Sequence, residues 1–277
     1  MTSIDVARHA AFRAGTARLG RGLWPYWLTA RLAGVSYLVT APPRTLLLSV
    51  LPRAVLQTVF YALLGRLATG DAGLVHGLTG AIAFLAVGPL IVRLPDIGTE
   101  ERHFGTMGRL LTGRPPTAAL IVARSWPYAA EALGVWAAAT LTVPLILGHP
   151  ELVLDQFTAF PAYVVVMLAT ASMGFVVTST CLGRRSEVAI SNTLAYATLA
   201  LGGVLPAAER LGPVRAVADL LPFTPALELY RVRSADGWDT ALLVRALLLT
   251  AAWTALAWLI ARILTTRSLR HGLHELI

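Results

Sequence analysis

Apolar runs long enough to cross a membrane recur along this chain, separated by short connections that carry most of its arginines. A helix rises about 1.5 Å per residue, so about 20 apolar residues cross about 30 Å of hydrocarbon. Residues 72–92, 132–150, 156–183 and 188–208 contain no Asp, Glu or Arg over 21, 19, 28 and 21 positions, and each run predicts a span. The uncharged stretch 246–261, extended back through Arg245 to Thr240, predicts another. The first candidate is interrupted by Pro52 and Arg53 but continues apolar to Gly65, and an arginine near a helix end can reach the headgroups. The pattern therefore predicts an all-α, polytopic membrane protein of six transmembrane helices, over about 46–65, 75–93, 118–147, 157–182, 188–206 and 241–262. Residues 1–45 and 265–277 are expected to flank this 46–264 domain as tails.

Composition agrees with that reading. The 277 residues are 56% hydrophobic and 14% charged, against about 45–50% and about 25% in soluble domains. All 23 basic residues are arginine, so the chain holds no Walker A lysine, no Schiff-base lysine and no kinase-type lysine. ATP hydrolysis by the common P-loop route is excluded. A net charge of +8 would suit nucleic acid if it formed one face, but these arginines are distributed loop by loop between apolar spans.

With six spans, fifteen arginines fall on the side of the two termini and five on the other, which places both termini in the cytoplasm. The exception is the connection before the last span, where Arg210, Arg215, Arg231 and Arg233 are balanced by five acidic residues. Arginines at 8, 13, 18, 21 and 31 leave no room for the apolar core of a cleavable signal peptide, so the N-terminus is expected to be retained. Cys181, the one cysteine, reads as a small buried hydrophobe.

Two connections carry more than span-linking residues. Trp24, Trp27, Leu28, Leu32, Val35, Leu38 and Val39 follow helical spacing and read as an interfacial helix or an inert lead-in to the first span. Between the second and third spans, Thr99 is placed to cap a helix whose first turn carries Glu100 and Glu101. Phe104, Met107 and Leu111 recur on one face of it, and Gly113 with Pro115-Pro116 ends it. Such a helix suits either a groove in a partner protein or the headgroup layer.

Candidates for chemistry inside the spans are few. Glu131 opens an apolar run, and Arg124 lies two helical turns earlier on the same predicted face. Glu131 and Arg53 are the candidate pathway-lining residues; the alternatives are a flanking pair at the end of the third span and a snorkelling arginine. His271, His274 and Glu275 have metal-compatible spacing on a basic tail that offers no supporting shell. Ala130-x3-Gly134-x3-Ala138 and Thr170-x3-Gly174 permit close helix packing.

Glu101, Gly105-Thr106, Leu110-Leu111 and Pro115 together resemble the E…GT…L…P signature in the cytoplasmic loop of ABC-2 type transporter permeases. The segment from Leu221 to Arg231, with Pro222 and Pro225, is similar to the proline-rich stretch before that family's last span. The resemblance covers essentially the whole chain and points to the drug-exporter-like branch, in the bacterial plasma membrane. It implies a type V exporter fold in which residues 99–114 form a coupling helix on a separate ATP-binding-cassette subunit. Thr99, Glu100, Glu101, Phe104, Gly105, Thr106, Met107, Leu110, Leu111 and Pro115 would be its coupling residues. It also implies extracellular re-entrant helices around Pro222, Pro225 and Arg231, and pairing with a second permease. ATP and Mg would bind the ATPase, with no cofactor in this chain. The expected cargo is a hydrophobic or amphipathic small molecule; lipid, polysaccharide or peptide export are the alternatives within the family. A membrane-embedded enzyme and a non-transporting anchor are the alternatives outside it.

Overall fold

The computed structural model describes residues 23–112, 115–182, 186–205, 212, 214–235 and 238–271. Helix α1 spans Trp24–Thr40, α2 Pro43–Thr69, α3 Asp71–His103, α4 Met107–Thr112 and α5 Thr117–Ile146. Helices α6 (Glu151–Thr158), α7 (Phe160–Thr180) and α8 (Glu187–Leu201) follow. A single turn, α9 (Arg215–Ala218), then leads to α10 (Phe223–Ala235) and α11 (Thr240–His271). The described residues form no strand.

Five of these helices, α2, α3, α5, α7 and α11, are long and apolar enough to cross a membrane. The chain is thus a polytopic helical membrane protein by length and composition. The expected span 188–206 is the exception, since α8 has 15 residues and rises only about 22 Å at about 1.5 Å per residue. Gly202 and Gly203 end it, and residues 206–211 lie outside the described set, as do 1–22, Gly113, Arg114, His274 and Glu275.

Helices α3 and α7 form the buried centre, with α2 and α11 at the periphery. Helices α2 and α3 run antiparallel and touch at glycines: a Cβ on Gly73 would lie 2.0 Å from the Gly65 carbonyl oxygen, and one on Gly77 would lie 2.5 Å from that of Tyr61. Gly174 of α7 meets the Leu90 carbonyl in the same way, whereas Gly134 has no neighbour where a Cβ would stand. The Thr170-x3-Gly174 pair thus serves packing within the chain.

Two prolines in the spans, Pro52 and Pro89, are absorbed by wide, π-type turns. Residues Leu46–Val50 precede Pro52, and Gly88–Arg93 contain Pro89. Proline removes a backbone donor and its ring crowds the preceding turn, and a wide turn relieves both faults without ending the helix.

Contacts fix two levels along α3. Near its end, Arg102 Nη2 donates to Glu187 at 2.7 Å, at the start of α8. Near its beginning, Arg231 Nη2 donates to the carbonyls of His76 and Val204 at 3.2 and 3.3 Å, and Gly80 packs under the Val204 carbonyl. Residues 187 and 204 therefore lie about 22 residues apart along α3, or about 33 Å.

Helix α10 folds back into the bundle at the end that carries Gly70. Pro222 and Pro225 are buried, and Pro225 sits in the first helical turn, where its missing N–H breaks no helical bond. Phe223 and Tyr230 are fully buried; the Tyr230 hydroxyl donates to Gln156 Oε1 at 2.5 Å. Tyr230 joins Trp136 and Tyr163 in an aromatic cluster.

Candidate functional site

A cavity of about 450 Å³ opens among α2, α3, α5 and α8. Helix α2 contributes Ser49, Arg53, Gln57 and Tyr61 at strict i+4 steps, a polar ridge along one side of the helix. Helix α8 contributes Asn192, Ala195, Tyr196 and Leu199, one helical face, and α5 contributes Glu131 and Val135. From α3 come Phe84, Leu85 and Val87 and, in the wide turn, Gly88, Pro89, Val92 and Arg93. Both pathway candidates from the sequence, Arg53 and Glu131, thus face one space.

Glu131 is held at the edge of this cavity with its side chain 4% exposed. Arg93 Nη1 donates to Glu131 Oε2 at 2.6 Å, and the Tyr37 hydroxyl of α1 donates to the same oxygen. The Arg93 guanidinium also stacks over the Tyr37 ring, 5.2 Å from its centroid. A buried carboxylate needs such partners, because desolvation of an unpaired charge costs several kcal/mol. Arg124, which spacing places on the same face as Glu131, does not pair with it. Helix α5 is interrupted at Ser125, ahead of Trp126-Pro127, and positions 124 and 131 both turn toward α3, which they meet about two helical turns apart.

Arg124 instead bridges the last turn of α3. Its Nη2 donates to Glu100 at 3.0 Å and its Nη1 pairs with Glu101. Ser36 of α1 also donates to Glu100, at 3.4 Å. Beside this bridge, Thr99 and Arg102 both donate to Glu187 Oε1, at 3.0 and 2.7 Å. Burial pushes the Glu187 carboxyl up, but its position at a helix start and the Thr99 and Arg102 donors outweigh burial and hold it below the ordinary value.

The single helix expected over residues 99–114 is also corrected. Thr99 is no cap, because α3 runs unbroken through it to His103. The break comes at Gly105, in left-handed conformation at φ +65°. The Thr106 N–H bonds the Glu101 carbonyl at 2.9 Å and the Gly105 N–H bonds that of Arg102 at 3.1 Å, which together form a Schellman cap. The Thr106 hydroxyl adds a bond to the Glu101 carboxylate. The Glu…Gly-Thr pattern is thus the closure of α3 and the corner into α4. The expected docking stripe splits accordingly: Phe104 is 66% exposed, whereas Met107, Leu110 and Leu111 are buried in the chain's own core. Pro115 is half-buried in the link to α5.

A second groove, of about 570 Å³, lies between α1 and this corner, lined by Leu32, Ser36, Glu101, Phe104, Leu110 and Arg124 among others. Helix α1 is anchored there by its small face. Ala33, Gly34 and Tyr37 are buried, and Trp126 Nε1 donates to the Ala30 carbonyl at 2.7 Å. Leu32, Val35, Leu38 and Val39 face outward, so the large apolar residues of α1 cover the surface and not the bundle.

Tyr37, Arg93 and the polar ridge on α2 were missed in the sequence. The i+4 recurrence of Ser49, Arg53, Gln57 and Tyr61 was the available signal for the ridge; Arg93 read only as the arginine closing the second span. No protein family's model matches the chain, and no curated protein or solved structure shows significant similarity to it.

Proposed function

We propose that this chain is the membrane permease subunit of an ATP-driven exporter of the ABC-2 type. In this reading it moves a hydrophobic or amphipathic small molecule from the cytosol or inner leaflet outward across a bacterial plasma membrane. The observation that carries the reading is the Tyr37–Glu131–Arg93 bridge, which joins α1, α3 and α5 at the edge of a membrane-depth cavity. About twelve residues, or about 18 Å, separate Arg93 from the Gly105 corner along α3. A push on that corner would reach the cavity through one continuous helix that is already loosened at Gly88–Arg93.

Residues 188–204 make the sixth crossing in this proposal, with a short helix completed by the glycines that follow it. The contacts of Glu187 with Arg102 and of Val204 with Gly80 support it, since they bracket most of the length of α3. Six crossings put both termini and the Gly105 corner in the cytoplasm, the side favoured by the arginines. The exposed Phe104 and the groove under α1 then face a separate ATP-binding-cassette subunit. That subunit supplies ATP and Mg binding, and a second permease completes the pathway. Helix α10 lies at the outer mouth.

The test is co-purification of the tagged full-length chain from its native membranes in mild detergent. A stoichiometric partner bearing a Walker A motif is the expected result. Recovery of the chain without any nucleotide-binding partner would overturn the proposal.

A further inference from the structure

The cavity among α2, α3, α5 and α8 holds three charged side chains, and two of them are already matched. Glu131 is the one acidic residue in its lining, and its carboxylate receives both Arg93 and Tyr37. Among the described residues, Arg53 has no ion pair. The lining therefore carries one cation in excess.

The depth of Arg53 makes that excess informative. The glycine contacts between α2 and α3 set an antiparallel register in which Gly65 lies against Gly73 and Ala62 against Gly77. Continued along both helices, this register places Arg53 opposite residues 85 and 86, midway along the 33-residue α3. It is also about ten residues, or about 15 Å, beyond the start of α2. An arginine at that depth is costly unless it meets water or an anion. Its neighbours on the ridge, Ser49 and Gln57, add hydrogen-bonding groups, while Phe84, Leu85 and Leu199 form an apolar wall. A space of about 450 Å³ falls within the range of small-molecule sites.

We infer that this cavity binds amphipathic anions, with Arg53 receiving the carboxylate or phosphate head and the Phe84, Leu85 and Leu199 wall receiving the apolar part. The inference deepens the export proposal by naming its substrate class, but binding requires no ATPase, so it stands or falls separately from the docking test. The anion has two possible sources, an acidic membrane lipid or an acidic amphiphile from the cytosol.

The experiment measures binding of 11-(dansylamino)undecanoic acid and of its neutral carboxamide to the full-length protein in phosphatidylcholine nanodiscs, with empty discs as blank. The acid is expected to bind at least about tenfold more tightly than the amide, the scale of a charge-assisted hydrogen bond. Arg53→Gln should bring the acid down to the affinity of the amide and leave the amide unchanged, and Arg53→Lys should restore most of the preference. Equal binding of acid and amide by the unmodified protein, a comparison that needs no variant, overturns the inference and leaves Arg53 a snorkelling residue. Unchanged acid binding in Arg53→Gln overturns it as well. Discs with phosphatidylglycerol in place of part of the phosphatidylcholine separate the sources. Loss of acid binding there supports the site with a lipid occupant, and retained binding supports it with a cytosolic one.

Discussion

The Arg93 guanidinium lies 2.6 Å from the Glu131 carboxylate, in a pair whose acidic partner is almost wholly shielded while the arginine is partly open to the cavity. This one contact ties the wide turn of α3 to the middle of α5, and Tyr37 extends the tie to α1. A charge pair of this kind adds little net stability over well-packed apolar residues, but it makes removal of either member expensive.

Arg93→Leu should therefore destabilise the protein by about 3–5 kcal/mol, because it strands the Glu131 carboxylate. The double variant Arg93→Leu with Glu131→Leu should recover most of that loss. Thermal unfolding of the purified protein in detergent reads both. A double variant no more stable than the single one would show that the pair is not coupled as described.

Acid should loosen the α3–α8 contact. The folded-state carboxyl of Glu187 lies below its ordinary value of 4.5. Its contribution is thus complete above that value and is lost as pH falls through the lower folded value. Unfolding temperature measured from neutral to strongly acidic pH should fall more steeply for the unmodified protein than for Glu187→Gln. Parallel curves would remove Glu187 from the acid response.

Phe104 and Met107 should behave differently, although they are three residues apart. Phe104 is exposed at the corner and Met107 is 4% exposed in the core. Phe104→Asp should leave insertion and unfolding temperature unchanged while abolishing retention of the nucleotide-binding partner. Met107→Asp should lower stability by several kcal/mol, about the cost of burying an unpaired charge. Partner retention by Phe104→Asp would move the docking surface elsewhere.

The sixth crossing can be read by cysteine labelling in a Cys181→Ser background. Val188 is 66% exposed and Leu205 is 39% exposed, at opposite ends of the proposed crossing. A membrane-impermeant maleimide should reach Val188→Cys only in inverted vesicles and Leu205→Cys only in intact cells. Labelling of both from one side would reduce the count of crossings to five.

The helical membrane class was legible because apolar run length is a direct readout of the solvent the chain meets, and five of the six expected spans appear as long helices. The fifth expected span escaped that rule because Gly202 and Gly203 end α8 early, a termination that hydropathy does not register. The outward face of α1 follows a related rule. In lipid, large apolar side chains belong outside and small ones such as Ala33 and Gly34 face the bundle, the reverse of a soluble helix. The Glu101 and Thr106 signature was visible, but its physical meaning was not. A Schellman cap and a helix interior look alike until the backbone sign at Gly105 is known. The partner of Glu131 was the hardest to see, because Arg93 is 38 positions away and comes from a different helix.

In the proposed function this chain moves its cargo with energy from a separate ATPase, and reconstituted vesicles test that most directly. Vesicles containing the chain alone should hydrolyse no ATP and move no dansyl-labelled amphiphile, whereas vesicles with the co-purified partner should do both, and Phe104→Asp should abolish transport. Nucleotide hydrolysis by the chain alone, or ATP-driven transport that does not need the partner, would contradict the account.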